Sequence, residues 1–219
     1  MSYAATLDKV KLSNIKIILD EARKQGITNK FSLCAILAVV SKESGFIPDY
    51  EIGYQNTSTQ RLRKIFPDKL SKLKDIEIDA LKKNEVAFFN YIYGGLYGNN
   101  DKEGYKFRGG GLNQLTFKDN YKKYAELTGI DLVNFPEKIN EIQTASKVLI
   151  AYFKRRFEKS KDVVKLRYKS TGVNDFKDLF TAVDSYYNAN AGFVKDTRGS
   201  SNDGYALAHD RSKSLMTLV

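Results

Sequence analysis

Residues 31 to 44 read FSLCAILAVVSKES. The first ten of these positions are apolar nearly all round, a pattern that predicts a central helix buried on every side, with Gly45 as its stop. Glu43 falls in the last turn, where the helix dipole disfavours a negative charge by a few tenths to about one kcal/mol. Upstream, Ile15, Ile18, Leu19 and Ala22 recur at helical spacing, predicting a helix over 14–25 with Ser13 or Asn14 as cap and Gly26 as the residue past its end. Downstream, helical spacing predicts further segments at 59–66, 84–93, 117–128, 137–159, 174–187 and 203–217. Alternating runs are scarce. Seven glycines between Gly94 and Gly111 exclude a helix there and predict a loop or a short glycine-kinked hairpin. The fold class is therefore mainly α. One helical domain is expected over 1–219, with a small helical subdomain around 59–93.

Composition narrows the chemistry. The chain has 219 residues, 36 Lys and Arg against 26 Asp and Glu, one Cys, one His and no Trp. Cys34 alone allows no disulfide within the chain and no cysteine-based zinc site. His209 alone leaves little for a metal centre or a Ser-His triad, so neither metal nor cofactor is expected. The start, MSYAATLDKVKL, lacks the charged and apolar regions of a signal peptide, and the longest apolar run, Leu33 to Val40, is too short to span a bilayer. Synthesis in a cytoplasm is the expectation. The net charge of +10 and a pI near 9.4 point to an anionic partner: nucleic acid, a membrane surface or an acidic wall polymer.

Three segments bear chemistry. In SKESGFIPDYEIGYQNTS, residues 41–58, a buried helix delivers Glu43 to a loop that then presents Asp49 and Glu51. Cleaving a glycosidic bond takes such a set, because one carboxyl must hold a proton for the leaving oxygen while another stays ionised. Apolar surroundings and a helix end give Glu43 the environment of the acid, and Glu51 is a reasonable base. The bland alternative pairs Glu43 with Lys42 and leaves Glu51 solvated. In GYKFRGGGLNQLTFKDNY, residues 104–121, glycines permit close backbone approach while Gln114 and Thr116 offer donors and acceptors to hydroxyls. The spacing of a phosphate-binding loop is absent, and packing alone is the competing account of these glycines. In YYNANAG, residues 186–192, Asn188 and Asn190 suit either a polar cleft or a turn.

Taken in order, the segments resemble the family 19 glycoside hydrolases, the chitinase group that includes lysozyme-like phage endolysins. Lys42-Glu43-Ser44-Gly45-Phe46 matches the family's first turn, and Glu51 precedes Gly53-Tyr54 and Thr57-Ser58. A helix ending in Phe66-Pro67 and the run Tyr93, Gly94, Gly95, Gly98, Asn99 follow. The most specific match supplies Tyr105, Phe107, Arg108, Gly109, Gly111, Gln114, Leu115, Thr116, Asn120 and Tyr121 at the family's spacing. The resemblance runs from Lys30 to about Gly192. It implies a lysozyme-like helical fold, with the glycine-rich loop beside the cleft, and metal-free, inverting cleavage of β-1,4-linked GlcNAc-containing polymers. It makes Glu43 the general acid and Glu51 the general base, with Asp49 in reserve. Tyr54, Thr57, Tyr105, Arg108, Gln114, Thr116 and Asn188 become sugar contacts. Gly110 stands where the family has a second Arg, and Asn113 replaces an apolar residue.

A small, basic, disulfide-free chain resembles the phage branch. The expected substrate is the glycan strand of peptidoglycan, an anionic polymer toward which +10 supplies long-range attraction. Chitinase action and a virion-associated wall-binding protein are the alternatives, with phage virion proteins as partners in the second. No nucleic-acid motif appears, and the lysines are scattered along solvated faces. A free enzyme is expected to be monomeric and to act on the bacterial wall. With no Trp, stacking on sugars falls to residues such as Tyr54, Tyr105 or Phe107.

Overall fold

Asp8 starts the first helix, more than a turn upstream of the predicted caps. Its carboxylate accepts from Lys11 N at 2.9 Å, and α1 spans Lys9–Lys24. Asn14, expected to cap this helix, is instead buried within it and donates its side-chain amide to Phe46 O at 2.9 Å. At the other end Gly26 N bonds Arg23 O and Ile27 N bonds Ala22 O, the paired bonds that close a helix through a glycine. The second helix, α2 (Lys30–Glu43), is the predicted central one. Asn29 caps it by accepting from Phe31 N and Ser32 N, and every residue from Ser32 to Ser41 is buried.

The computed structural model describes residues 2–193 and 203–219. Beyond α2, and in chain order, these carry α3 (Thr59–Ile65), α4 (Pro67–Leu70), α5 (Asp75–Lys82), α6 (Glu85–Tyr93) and α7 (Lys118–Thr128). Then come α8 (Ile142–Lys159), α9 (Lys161–Tyr168), α10 (Leu179–Asn190) and α11 (Asp203–Leu215), with short 3₁₀ turns at Ala4–Thr6, Pro136–Asn140 and Met216–Leu218. The protein is mainly α, as predicted. Among the described residues the pairing that approaches a hairpin is one antiparallel bridge, Gly110 to Leu115, so the glycine-rich piece is a loop.

Several boundaries differ from the sequence reading, each for a local reason. The span 137–159 is not one helix: extended backbone at Glu141 separates the 3₁₀ turn from α8. Helix α10 begins five residues later than the predicted 174, because Asn174 Oδ1 accepts from Thr28 N and Asn29 N, and Asp178 caps the helix through Thr181 N. Helices α5 and α9 were not predicted. Each is eight residues long and buries little, Ile78 in α5 and Val164 with Tyr168 in α9, too few positions to establish a period.

The chain forms two compact units. The first comprises Met1–Asp49, Gly111–Asn113 and Lys138–Val219. Here α2 packs against α10, α11 and α1, and α1 lies along α8. Phe153 and Phe157 close on Tyr186 with ring centroids 5.0 and 4.8 Å apart. Cys34 is buried in α2, with its thiol on Ser212 O at 3.1 Å. Burial pushes that thiol up to about 12. The second unit comprises Tyr50–Gly110 and Gln114–Glu137. Its core is Leu62, Leu70, Ile78, Phe88, Phe89 and Ile92, against which Tyr54, Phe66, Tyr93 and Tyr105 pack. Among the described residues no helix is long and apolar enough to cross a membrane.

Candidate active site

Glu51 lies just after the start of the second unit, in backbone without regular structure, and is fixed there at both its ends. Its backbone N donates to Gly109 O at 2.7 Å. Its carboxylate accepts from Tyr54 OH at 2.6 Å and from Tyr93 OH at 3.2 and 3.0 Å. Burial first, and then the neighbouring carboxylate, hold both phenols well above their ordinary pKa, so each remains an O–H donor through the whole working range of pH. A carboxylate that accepts from such donors is held in one orientation.

Gly109 brings further groups to the same point. A Cβ there would stand 2.8 Å from Gln114 Oε1 and 3.3 Å from Glu51 Oε2, so only glycine lets these two side chains share the space beside its backbone. Gln114 (φ 53) and Phe117 (φ 75) both hold left-handed backbone on either side of Thr116. Such conformations cost about 1–3 kcal/mol each outside glycine and concentrate at functional sites. Thr116 Oγ1 donates to Gln114 O at 3.0 Å, and Asn120 Nδ2 donates to Thr116 O at 2.8 Å, which fixes the turn.

The structure thus brings Glu51, Tyr54, Gln114 and Thr116 into one neighbourhood. Tyr93 joins them although the sequence reading gave it no role; its signal was its place at the head of the Tyr-Gly-Gly run. The stacking expectation is corrected for two residues. Phe107 is fully buried, and the Tyr54 ring is committed to Phe66 and Phe88 at 5.3 and 5.4 Å. Arg108 is also largely buried. Its guanidinium lies between the rings of Tyr50 and Tyr105, at 4.0 and 3.8 Å, and donates to Tyr105 O. Thr57 sits in the loop after Tyr54, where its carbonyl accepts from Lys82 Nζ at 3.0 Å.

Glu43 belongs to the first unit, as the last residue of α2. Its Oε1 takes the Lys42 ammonium at 2.9 Å, so the Lys42–Glu43 pair is present. Burial would lower the Lys42 pKa, but the bond to Glu43, its charge and nearby Tyr187 outweigh that and raise it. Past Glu43 the chain turns sharply. Ser44 N and Gly45 N both reach Val40 O, and Phe46, fully buried at φ 69, anchors the turn. Arg211 donates to Ser41 O and satisfies a carbonyl at the helix end. Asp49 is exposed. Asn188, expected in a cleft wall, is fully buried in α10 and donates to Asp184 O at 2.9 Å, so it presents nothing to solvent. Asn113, the departure from the apolar pattern, buries an amide nitrogen that has no hydrogen-bond partner. Among the described residues no three His, Cys, Asp or Glu side chains gather as a metal site would need.

No protein-family model matches the chain. Over 142 residues it is 31% identical to a protein of Haemophilus influenzae described as a glycosyl hydrolase family 19 domain-containing protein; the alignment takes in 61% of this chain and 66% of that one, just under two thirds of its length. This likeness supports a link between the chain and family 19, the family its motifs resemble.

Proposed function

We propose that the protein is a glycoside hydrolase that cleaves β-1,4 bonds in the glycan strand of peptidoglycan, in the manner of a phage endolysin. The observation that carries this reading is the Glu51 carboxylate, held by two phenols beside Gly109 and Gln114. The similarity to a family 19 domain-containing protein supports it, and the net charge of +10 favours an anionic wall polymer over neutral chitin.

In this reading Glu51 is the base. It takes a proton from a water molecule whose oxygen then bonds the anomeric carbon, while the bond from that carbon to the bridging oxygen breaks. Glu43 gives its proton to that oxygen, and the configuration inverts. Glu43 must therefore hold a proton, and Lys42 is the cation from which it has to part. Gln114 and Thr116 supply polar contacts to the sugar. The enzyme is made in the cytoplasm and works on the wall, with no cofactor.

Digestion of purified peptidoglycan and of GlcNAc oligomers, with mass spectrometry of the products, tests the proposal. New MurNAc or GlcNAc reducing ends from peptidoglycan are expected, abolished by Glu51→Gln. Cleavage of GlcNAc oligomers alone makes the protein a chitinase, and no product from either sinks the hydrolase reading.

A further inference from the structure

Tyr97 is 68% exposed, and yet its backbone and its ring are both anchored. Its backbone is left-handed (φ 43), and its carbonyl accepts from Asp119 N, in the first turn of α7, at 3.1 Å. The neighbouring amide, Lys118 N, donates to Asn99 Oδ1 at 2.9 Å, while Asn99 Nδ2 donates to Tyr93 O at 2.9 Å. Glu103 ties the far side of the loop by accepting from Asn100 N and Lys118 Nζ. Gly98, next in the chain, has φ 84, and a Cβ on it would come within 2.2 Å of Asp119 Oδ1. Helix amides that would otherwise lack partners thus clamp this loop.

The Tyr97 ring continues a line of aromatic contacts that begins at the candidate base. Tyr93, which donates to Glu51, meets Phe117 at 5.3 Å, and Phe117 meets Tyr97 at 4.8 Å. Phe117 itself is held at φ 75. Folding leaves a large apolar ring open to solvent here, and fixes its backbone at a conformational cost that hydrophobic burial does not repay. A ring held this way loses little entropy when something stacks on it.

We propose that Tyr97 is a stacking platform for a pyranose ring of the glycan, a binding subsite on the Glu51 side of the substrate path. The inference rests on the hydrolase reading above. The C–H bonds on one face of a pyranose carry partial positive charge and pack on the electron-rich face of an aromatic ring. That chemistry suits a neutral sugar. Tyr97 takes over the role the sequence reading gave to Tyr54 and Phe107, whose rings are committed elsewhere.

The absence of Trp from the chain gives a clean test. In a Glu43→Gln background, which leaves the line from Glu51 to Tyr97 intact, Tyr97→Trp introduces a single indole. Its emission is followed as GlcNAc tetramer is added, with calorimetry of the Glu43→Gln protein on the same ligand. In parallel, steady-state kinetics compare Tyr97→Ala and Tyr97→Phe with the wild type, and circular dichroism establishes that each variant is folded. The expected result is a saturable emission change that tracks calorimetric binding, a roughly tenfold rise in KM for Tyr97→Ala with a smaller change in kcat, and rescue by Tyr97→Phe. Emission unmoved at concentrations where calorimetry shows saturation, or a wild-type KM in folded Tyr97→Ala, overturns the platform and leaves the hydrolase reading standing. No binding by calorimetry together with no cleavage by the wild type overturns both.

Discussion

Tyr93 OH reaches both carboxylate oxygens of Glu51, at 3.2 and 3.0 Å, while Tyr54 OH takes only Oε1. Tyr93 is thus the residue that fixes the plane of the candidate base. Tyr93→Phe keeps the ring, which packs on Phe89 and Phe117, and removes the donor. A hydrogen bond to a charged group contributes about 1.5–3 kcal/mol, so kcat is expected to fall by roughly ten- to a hundredfold. The same bond supports the fold, so the melting temperature should also fall by several degrees. An unchanged kcat would remove Tyr93 from the machinery.

Gly109→Ala tests the crowding beside Glu51. The new methyl would have to displace Gln114 Oε1 and press on Glu51 Oε2. Both are side-chain ends that can move, so the expected loss of stability is about 1–3 kcal/mol, while catalysis suffers more than stability. Thermal unfolding and product formation measured on the same preparation separate the two. A variant as active as the wild type would show that Gln114 and Glu51 need not share this space.

Lys42→Met removes the ammonium paired with Glu43. The proposed acid must be protonated, and a neighbouring cation opposes that. Activity on peptidoglycan is therefore expected to be kept or raised in Lys42→Met, and the loss of a partly exposed pair should change folding stability by at most about 1 kcal/mol. Loss of activity in a folded Lys42→Met protein would contradict the assignment of Glu43.

His209 is the chain's one histidine, packed between the rings of Phe180 and Tyr205 at 4.5 Å each. Burial lowers its pKa; Asp210 raises it and Lys213 lowers it, with a net fall from the ordinary 6.5. A folded-state value below the unfolded one means that this group's stabilising contribution is present above about pH 6.5 and is lost as pH falls through the folded value. The single imidazole resonance in a proton NMR titration should show a midpoint below 6.5 in the folded protein. A midpoint at or above that value would mean that the ring is solvated.

Buried apolar periodicity was readable in the sequence, and it located α2 and α8 because both hide long rows of side chains. It failed at the start of α1, where Val10 and Leu12 face outward and leave no stripe; there the cap at Asp8 sets the boundary. The short helices α5 and α9 escaped for the same reason. Glu51 was legible as a candidate through the carboxylates that follow Glu43, and Gln114 and Thr116 through the glycine-rich segment that holds them. The hydroxyl partners of Glu51 were not: Tyr54 read as a sugar contact and Tyr93 as the head of a glycine run, and only the fold turns their polar ends to one carboxylate. Asn188 illustrates the converse, a fully buried polar residue whose amide nitrogen donates within its own helix.

Cys34 carries a consequence for where such a molecule can be handled. Its thiol is buried and is kept protonated up to about pH 12, so it offers no thiolate to oxidants or to exchange with another disulfide. Since these 219 residues contain no second cysteine, no disulfide within them forms or breaks as the surroundings turn from reducing to oxidising. These residues need no oxidant to close a disulfide, and a preparation stored without reductant should form no disulfide-linked species within one chain and keep one melting curve.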